Sequence, residues 1–114
     1  MDKRILALGR LPKGTMNKTE CAYANYLELQ KRMGQVAWYA FEPVTWRLAK
    51  NTSYTPDFLV LMHDGTIECH EVKGYWRDDA KVKTKVAAKQ IPFIRFVAVM
   101  KSKGGWDFEE FDPE

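Results

Sequence analysis

The chain has 114 residues, enough for one domain with a real core and too few for two. Hydrophobic residues make up 46% of it and charged residues 29%, which places it among folded proteins and not disordered ones, and no apolar run approaches the ~20 residues of a bilayer span. A formal net charge of only +3 permits nucleic-acid binding without demanding it, so where the charges fall matters more than their total.

Residues 1–16 read as an irregular arm, because Gly9, Pro12 and Gly14 break any regular pattern. Its start, from Met1 to Arg10, is basic and then briefly apolar, too short for a secretory signal, and a cytoplasmic location is expected. Asn17 reads as a helix N-cap, with Glu20 as the capping-box partner three residues on. Helical spacing then lines up Ala22, Tyr26, Leu29 and Met33 on one stripe, flanked by Tyr23 and Leu27, with Glu20 at its edge and Gly34 as the C-terminal stop. Val36 to Leu48 is aromatic and β-branched and predicts a strand bent at Glu42-Pro43, since proline lacks a ladder donor. Residues 49–53 form a polar turn.

Phe58–Met62 and Thr66–Lys73 predict two strands of a hairpin joined at Asp64-Gly65. A loop follows from Gly74 to Arg77, then a helix capped by Asp78 or Asp79 and running to about Gln90, with Pro92 marking its end. Phe93–Val99 is the next strand, and Gly104-Gly105 separates it from a short last strand at Trp106–Phe111. The strand–helix–strand unit from Thr66 to Val99 favours a right-handed parallel crossover, so the fold class is α/β, with residues 17–114 as one domain. Cys21 and Cys69 are far apart without metal-ligand spacing and read as a pair of buried, reduced thiols.

The chemistry concentrates at Pro56-Asp57 and Glu71-Val72-Lys73. Thirteen residues (58–70) separate the two carboxylates, and a hairpin of that length brings the start of one strand level with the end of the next. Asp57 and Glu71 therefore converge, and strand alternation turns Glu71 and Lys73 to one face and Val72 to the other. Two carboxylates and an ammonium at one sheet end suit a hard divalent cation and an activated water. Two neighbouring carboxylates favour the charged form of Lys73, so the role that suits it is electrostatic, orienting the water and stabilising developing negative charge. The segment from Lys73 to Lys89 is basic, carrying Arg77, Lys81, Lys83 and Lys85 between its ends. Lys81, Lys85 and Lys89 share a helix stripe that is either a solvated face or a phosphate contact, and Lys83 and Lys85 flank Thr84. Trp76, in the loop after the motif, is the tryptophan best placed to touch a base. His63 falls in a turn and His70 has the opposite strand parity from Glu71, so neither receives a role.

This constellation resembles the PD-(D/E)XK nuclease superfamily. The flanking Tyr54-Thr55-Pro56-Asp57-Phe58 and Glu71-Val72-Lys73-Gly74 look like the signature of small phage endonucleases, including endonuclease I-like Holliday-junction resolvases, and Asn17-Lys18-Thr19-Glu20 fits the same group. The resemblance spans roughly residues 10–111. It implies a core of helix, three-strand antiparallel meander, helix and parallel strand in a mixed sheet. It also implies Mg²⁺, with Mn²⁺ substituting, held by Asp57, Glu71 and the Val72 carbonyl, with Glu20 either at a second metal position or only capping its helix. The function it implies is a metal-dependent endonuclease acting on branched DNA, in the host cytoplasm if phage-encoded, and a homodimer if the substrate is a junction. Its contact elements would be the arm before Asn17 and the strand Val36–Leu48. A general or nicking DNA endonuclease and a non-catalytic nucleic-acid-binding domain are the alternatives.

Overall fold

The computed structural model describes residues 14–73 and 78–111, the second segment with side chains from residue 80 onward. Helix α1 (Lys18–Arg32) starts at Asn17, whose side chain accepts the Glu20 N–H at 2.8 Å while the Glu20 carboxylate accepts the Asn17 N–H at 2.9 Å. This reciprocal box satisfies two donors that the first helical turn would otherwise leave open. Asn17→Ala is expected to lower stability by about 1 kcal/mol, measured by urea unfolding. Gly34 ends the helix at φ +86, a conformation that a side chain would strain.

Five strands form the main sheet in the order β1-β4-β5-β6-β7, namely β1 (Val36–Phe41), β4 (Phe58–Met62), β5 (Ile67–Val72), β6 (Arg95–Ser102) and β7 (Gly105–Glu110). β1 pairs antiparallel with β4 and β4 with β5, helix α2 (Asp78–Gln90) carries the chain from β5 to β6, which pair in parallel, and β7 returns antiparallel to β6. The expected α/β class, mixed sheet and crossover are all present. β5 is the central strand, and Glu68 to Val72 are buried along it.

The alternation of strand side chains splits the core in two. Phe58, Val60, Val72, Val97 and Val99 face Tyr23 and Leu27 of α1. Leu59, Cys69 and Phe96 face Ala87 and Ala88 of α2 on the other side. The buried face of α1 is centred on Glu20, Tyr23 and Leu27, whereas Leu29 and Met33 are exposed, so the expected stripe is displaced around the helix. Helical spacing alone accommodates both sets, and contact with the sheet selects Tyr23 and Leu27.

The segment after Phe41 also departs from expectation. Instead of one bent strand, β1 ends before Glu42, which adopts φ +46 and donates its N–H to the Asp57 carbonyl at 2.8 Å. The chain then makes a separate hairpin of β2 (Trp46–Ala49) and β3 (Thr52–Tyr54). Thr52 and Ser53 belong to this hairpin, and the turn narrows to Lys50 and Asn51, the latter at φ +60. Phe93 lies before β6 and is exposed, so that strand starts later than the apolar run suggests. Cys69 is buried as expected, with its thiol pushed up to about 12 by burial and then by Glu71, but Cys21 is exposed. Among the described residues no helix is long and apolar enough to cross a membrane. The arm before Gly14 and the loop at 74–77 lie outside the described residues.

Candidate active site

Asp57 immediately precedes β4, and Glu71 lies near the end of β5. Because Phe58 pairs with His70, the two carboxylates face one another across the β4–β5 ladder. Both are buried. Asp57 Oδ2 accepts the Val72 N–H at 2.9 Å, while Glu71 Oε1 accepts the Asp57 N–H at 3.3 Å. The phenol of Tyr54 also donates a short hydrogen bond to Glu71 Oε1. Lys73 places its Nζ 3.6 Å from Asp57 Oδ2 and 3.9 Å from Glu71 Oε2. The three residues singled out in the sequence therefore meet, and each carboxylate keeps one oxygen, Asp57 Oδ1 and Glu71 Oε2, clear of hydrogen bonds from described residues.

With both carboxylates ionised and only one ammonium beside them, this buried site would carry excess negative charge. Burial, reinforced by the Asp57 charge, pushes the Glu71 carboxyl up to about 8, against the opposing pull of Tyr54 and Lys73. Glu20 is also raised, first by burial, and it feels Asp57 as a like charge and Lys73 as an opposite one. It thus borders the site electrostatically while its Oε1 serves the helix cap. Among the described residues no group of three or more His, Cys, Asp or Glu side chains is arranged to hold a metal ion. The donor chemistry of the Asp57–Glu71 pair nonetheless fits a hard divalent cation, which would balance charge that burial otherwise penalises.

The pair lies in a cleft of about 180 Å³ that opens between the sheet, the β2–β3 hairpin and α2. Tyr54, Asp57, Glu71 and Lys73 line one side of it, Lys83 and Thr84 the other. Thr84 is held by a 2.9 Å bond from its hydroxyl to the Ala80 carbonyl. Lys83 is thus the α2 lysine that reaches the site. Lys85, on the other flank of Thr84, is exposed and absent from the cleft lining, as are Lys81 and Lys89. Trp76 and Arg77 lie outside the described residues. Val72 supplies a backbone N–H to Asp57.

Two features were not assigned by reading the sequence. Tyr54 stood inside the motif without a role, although a phenol three residues before a converging aspartate, at the end of a strand, is within reach of the same spot. His70 proves to be part of a buried chain on the opposite face of β5. Its Nδ1 meets the Tyr23 hydroxyl at 2.5 Å and its Nε2 meets Glu68 Oε1 at 2.7 Å. Glu68 Oε2 in turn accepts from Arg95 at 3.1 Å, and Arg95 pairs with Glu110. This chain fastens α1 to β5, β6 and β7 and turns away from the cleft, in keeping with its strand parity.

Residues 15–104 match the family described as "Protein of unknown function (DUF1064)", and the chain belongs to that family. No curated protein and no solved structure matches it.

Proposed function

We propose that this member of the family is a Mg²⁺-dependent endonuclease that hydrolyses phosphodiester bonds of DNA, with branched DNA such as a four-way junction as its preferred substrate. The observation that carries this reading is the convergence of buried Asp57 and Glu71 under the single ammonium of Lys73, in a cleft walled by a lysine-bearing helix. The order of elements around the pair supports the PD-(D/E)XK resemblance, because the pair joins two antiparallel strands and the second strand crosses through a helix to a parallel one. The preference for branched DNA rests on that resemblance.

Asp57 and Glu71 would hold the cation through the oxygens left clear of hydrogen bonds. Mg²⁺ bound there supplies a Lewis acid for the phosphate and makes water a better nucleophile. Lys73 orients the attacking water and offsets charge that develops on phosphorus. From the facing wall, Lys83 holds a phosphate oxygen, and Lys81, Lys85 and Lys89 track the backbone farther along α2. A junction has strands related by two-fold symmetry, so a C₂ homodimer with paired sites accounts for two cuts. β1 is an edge strand with no charged side chain and an exposed Trp38, which makes it a contact element for such a dimer.

Purified protein incubated with Mg²⁺ or Mn²⁺ and a panel of junction, flap, duplex and single-stranded DNA tests this reading. Metal-dependent cleavage with the junction cut fastest is expected, together with a dimer by sedimentation on the junction. Binding without cleavage of any substrate would replace the nuclease by a nucleic-acid-binding domain. Within the same assay, Lys83→Gln is expected to lower the cleavage rate more than DNA affinity. The triple change of Lys81, Lys85 and Lys89 to Gln should instead weaken binding, flattening the log–log salt slope by about one unit for each lost phosphate contact. An unchanged slope would make that stripe a solvated face.

A further inference from the structure

Glu71 reaches the cleft from the central strand, yet its orientation is set from outside the main sheet. Its Oε1 takes two donors, the Tyr54 phenol and the Asp57 N–H, which leaves Oε2 as the oxygen on the Lys73 side. The Asp57 N–H is the longer of the two, at 3.3 Å, so the phenol is the stronger restraint.

We infer that Tyr54 is the positioning residue of the cation site, fixing the rotamer of Glu71 so that Oε2 alone is offered to the metal. The inference rests on the metal-site reading given above. Tyr54 is itself held rigidly. It is buried, its ring stacks on Trp46 at 6.3 Å between centroids and tilts against Phe96 at 6.0 Å, and it ends strand β3. A donor held this rigidly by its ring packing is suited to orienting a ligand. The hydroxyl is also the polar handle that joins the β2–β3 hairpin to the cation site, so displacement of the hairpin changes how Glu71 is presented.

Partners that orient metal ligands in this way are worth ~10–100-fold in metal affinity. Tyr54→Phe removes the hydroxyl and keeps the ring packing. In the full chain without DNA, calorimetric titration with Mn²⁺ is expected to show affinity at least ~10-fold weaker for Tyr54→Phe than for wild type. Circular dichroism should be unchanged. Cleavage of a DNA junction should need ~10-fold more Mn²⁺ for half-saturation and reach a near wild-type plateau once the metal saturates. A folded Tyr54→Phe protein with the wild-type Mn²⁺ affinity would overturn the role of Tyr54 and leave the metal site standing. A lowered plateau that added Mn²⁺ does not restore would likewise overturn it, by showing that the hydroxyl maintains the fold of the cleft or takes part in the chemistry. Absence of Mn²⁺ binding by the wild type would remove the metal site and this inference together.

Discussion

Glu71→Ala is expected to reduce DNA cleavage on the order of a thousandfold while the protein still folds, since charge stabilisation in a water-poor site is the largest contribution such a residue makes. Neither Glu71 nor Asp57 supports the apolar core, but the two differ in what their loss leaves behind. Removing Glu71 relieves a desolvated carboxyl but leaves the Tyr54 hydroxyl and the Asp57 N–H without their acceptor, so the two effects oppose. Glu71→Gln, which keeps an acceptor, should melt above Glu71→Ala in the metal-free protein. Removing Asp57 strands the Val72 N–H that it accepts at 2.9 Å, which costs about 1–3 kcal/mol, and Asp57→Asn should recover that stability without recovering cleavage. Wild-type rates in a folded Glu71→Ala protein would end the metal-site assignment. Glu20→Gln retains a capping oxygen and should cost far less activity, unless a second metal shares its carboxylate.

The second large effect is a pH-dependent response to metal. Folding raises the Glu71 carboxyl from its ordinary 4.5 to about 8. Between those values the folded protein retains a proton that the unfolded chain has released. Stability is therefore greatest below about pH 4.5 as far as this group is concerned, falls as pH rises through the window, and levels off above about pH 8. Glu20, also raised by burial, acts in the same direction. A divalent cation competes with the proton, so Mn²⁺ should stabilise the protein much more at pH 8 than at pH 5. At a hundredfold excess over Kd the gain is about 2.7 kcal/mol, on the order of 10 °C in melting temperature for a domain of this size. Thermal melts at the two pH values, with and without Mn²⁺, measure it. Equal shifts at both would mean that the ion binds elsewhere.

The candidate catalytic set was readable because it depends on two short-range rules, hairpin register and strand parity. Both act within residues 57–73, and the observed Phe58–His70 pairing sets Asp57 level with Glu71 as they lead one to expect. The cap at Asn17 and the parallel crossover were readable for the same reason, since each is decided by residues close together in the chain. The misreadings concern which of several possible partners a segment packs against. Tyr23 and Leu27 displace Leu29 and Met33 from the core because the sheet, far along the chain, chooses the face of α1. The β2–β3 hairpin was hidden because Val36 to Leu48 look like one bent strand, and although a turn was expected over residues 49–53, nothing in the sequence says that Trp46 pairs back with Tyr54 and not with the main sheet. Lys83 was inseparable from Lys85 on the sequence, since only the position of α2 over the cleft distinguishes them.

The detour of the chain through β2 and β3 divides ownership of the cleft. The carboxylates and Lys73 belong to the main sheet, while one wall and the phenol on Glu71 belong to a two-stranded excursion with its own pairing and an exposed tip at Lys50-Asn51. Loop-borne walls tolerate changes of length far better than the frames that carry them. Proteins built on this plan can therefore retune what enters the cleft by lengthening or trimming one hairpin, with Tyr54 as a position at which such remodelling must stay in step with the carboxylates.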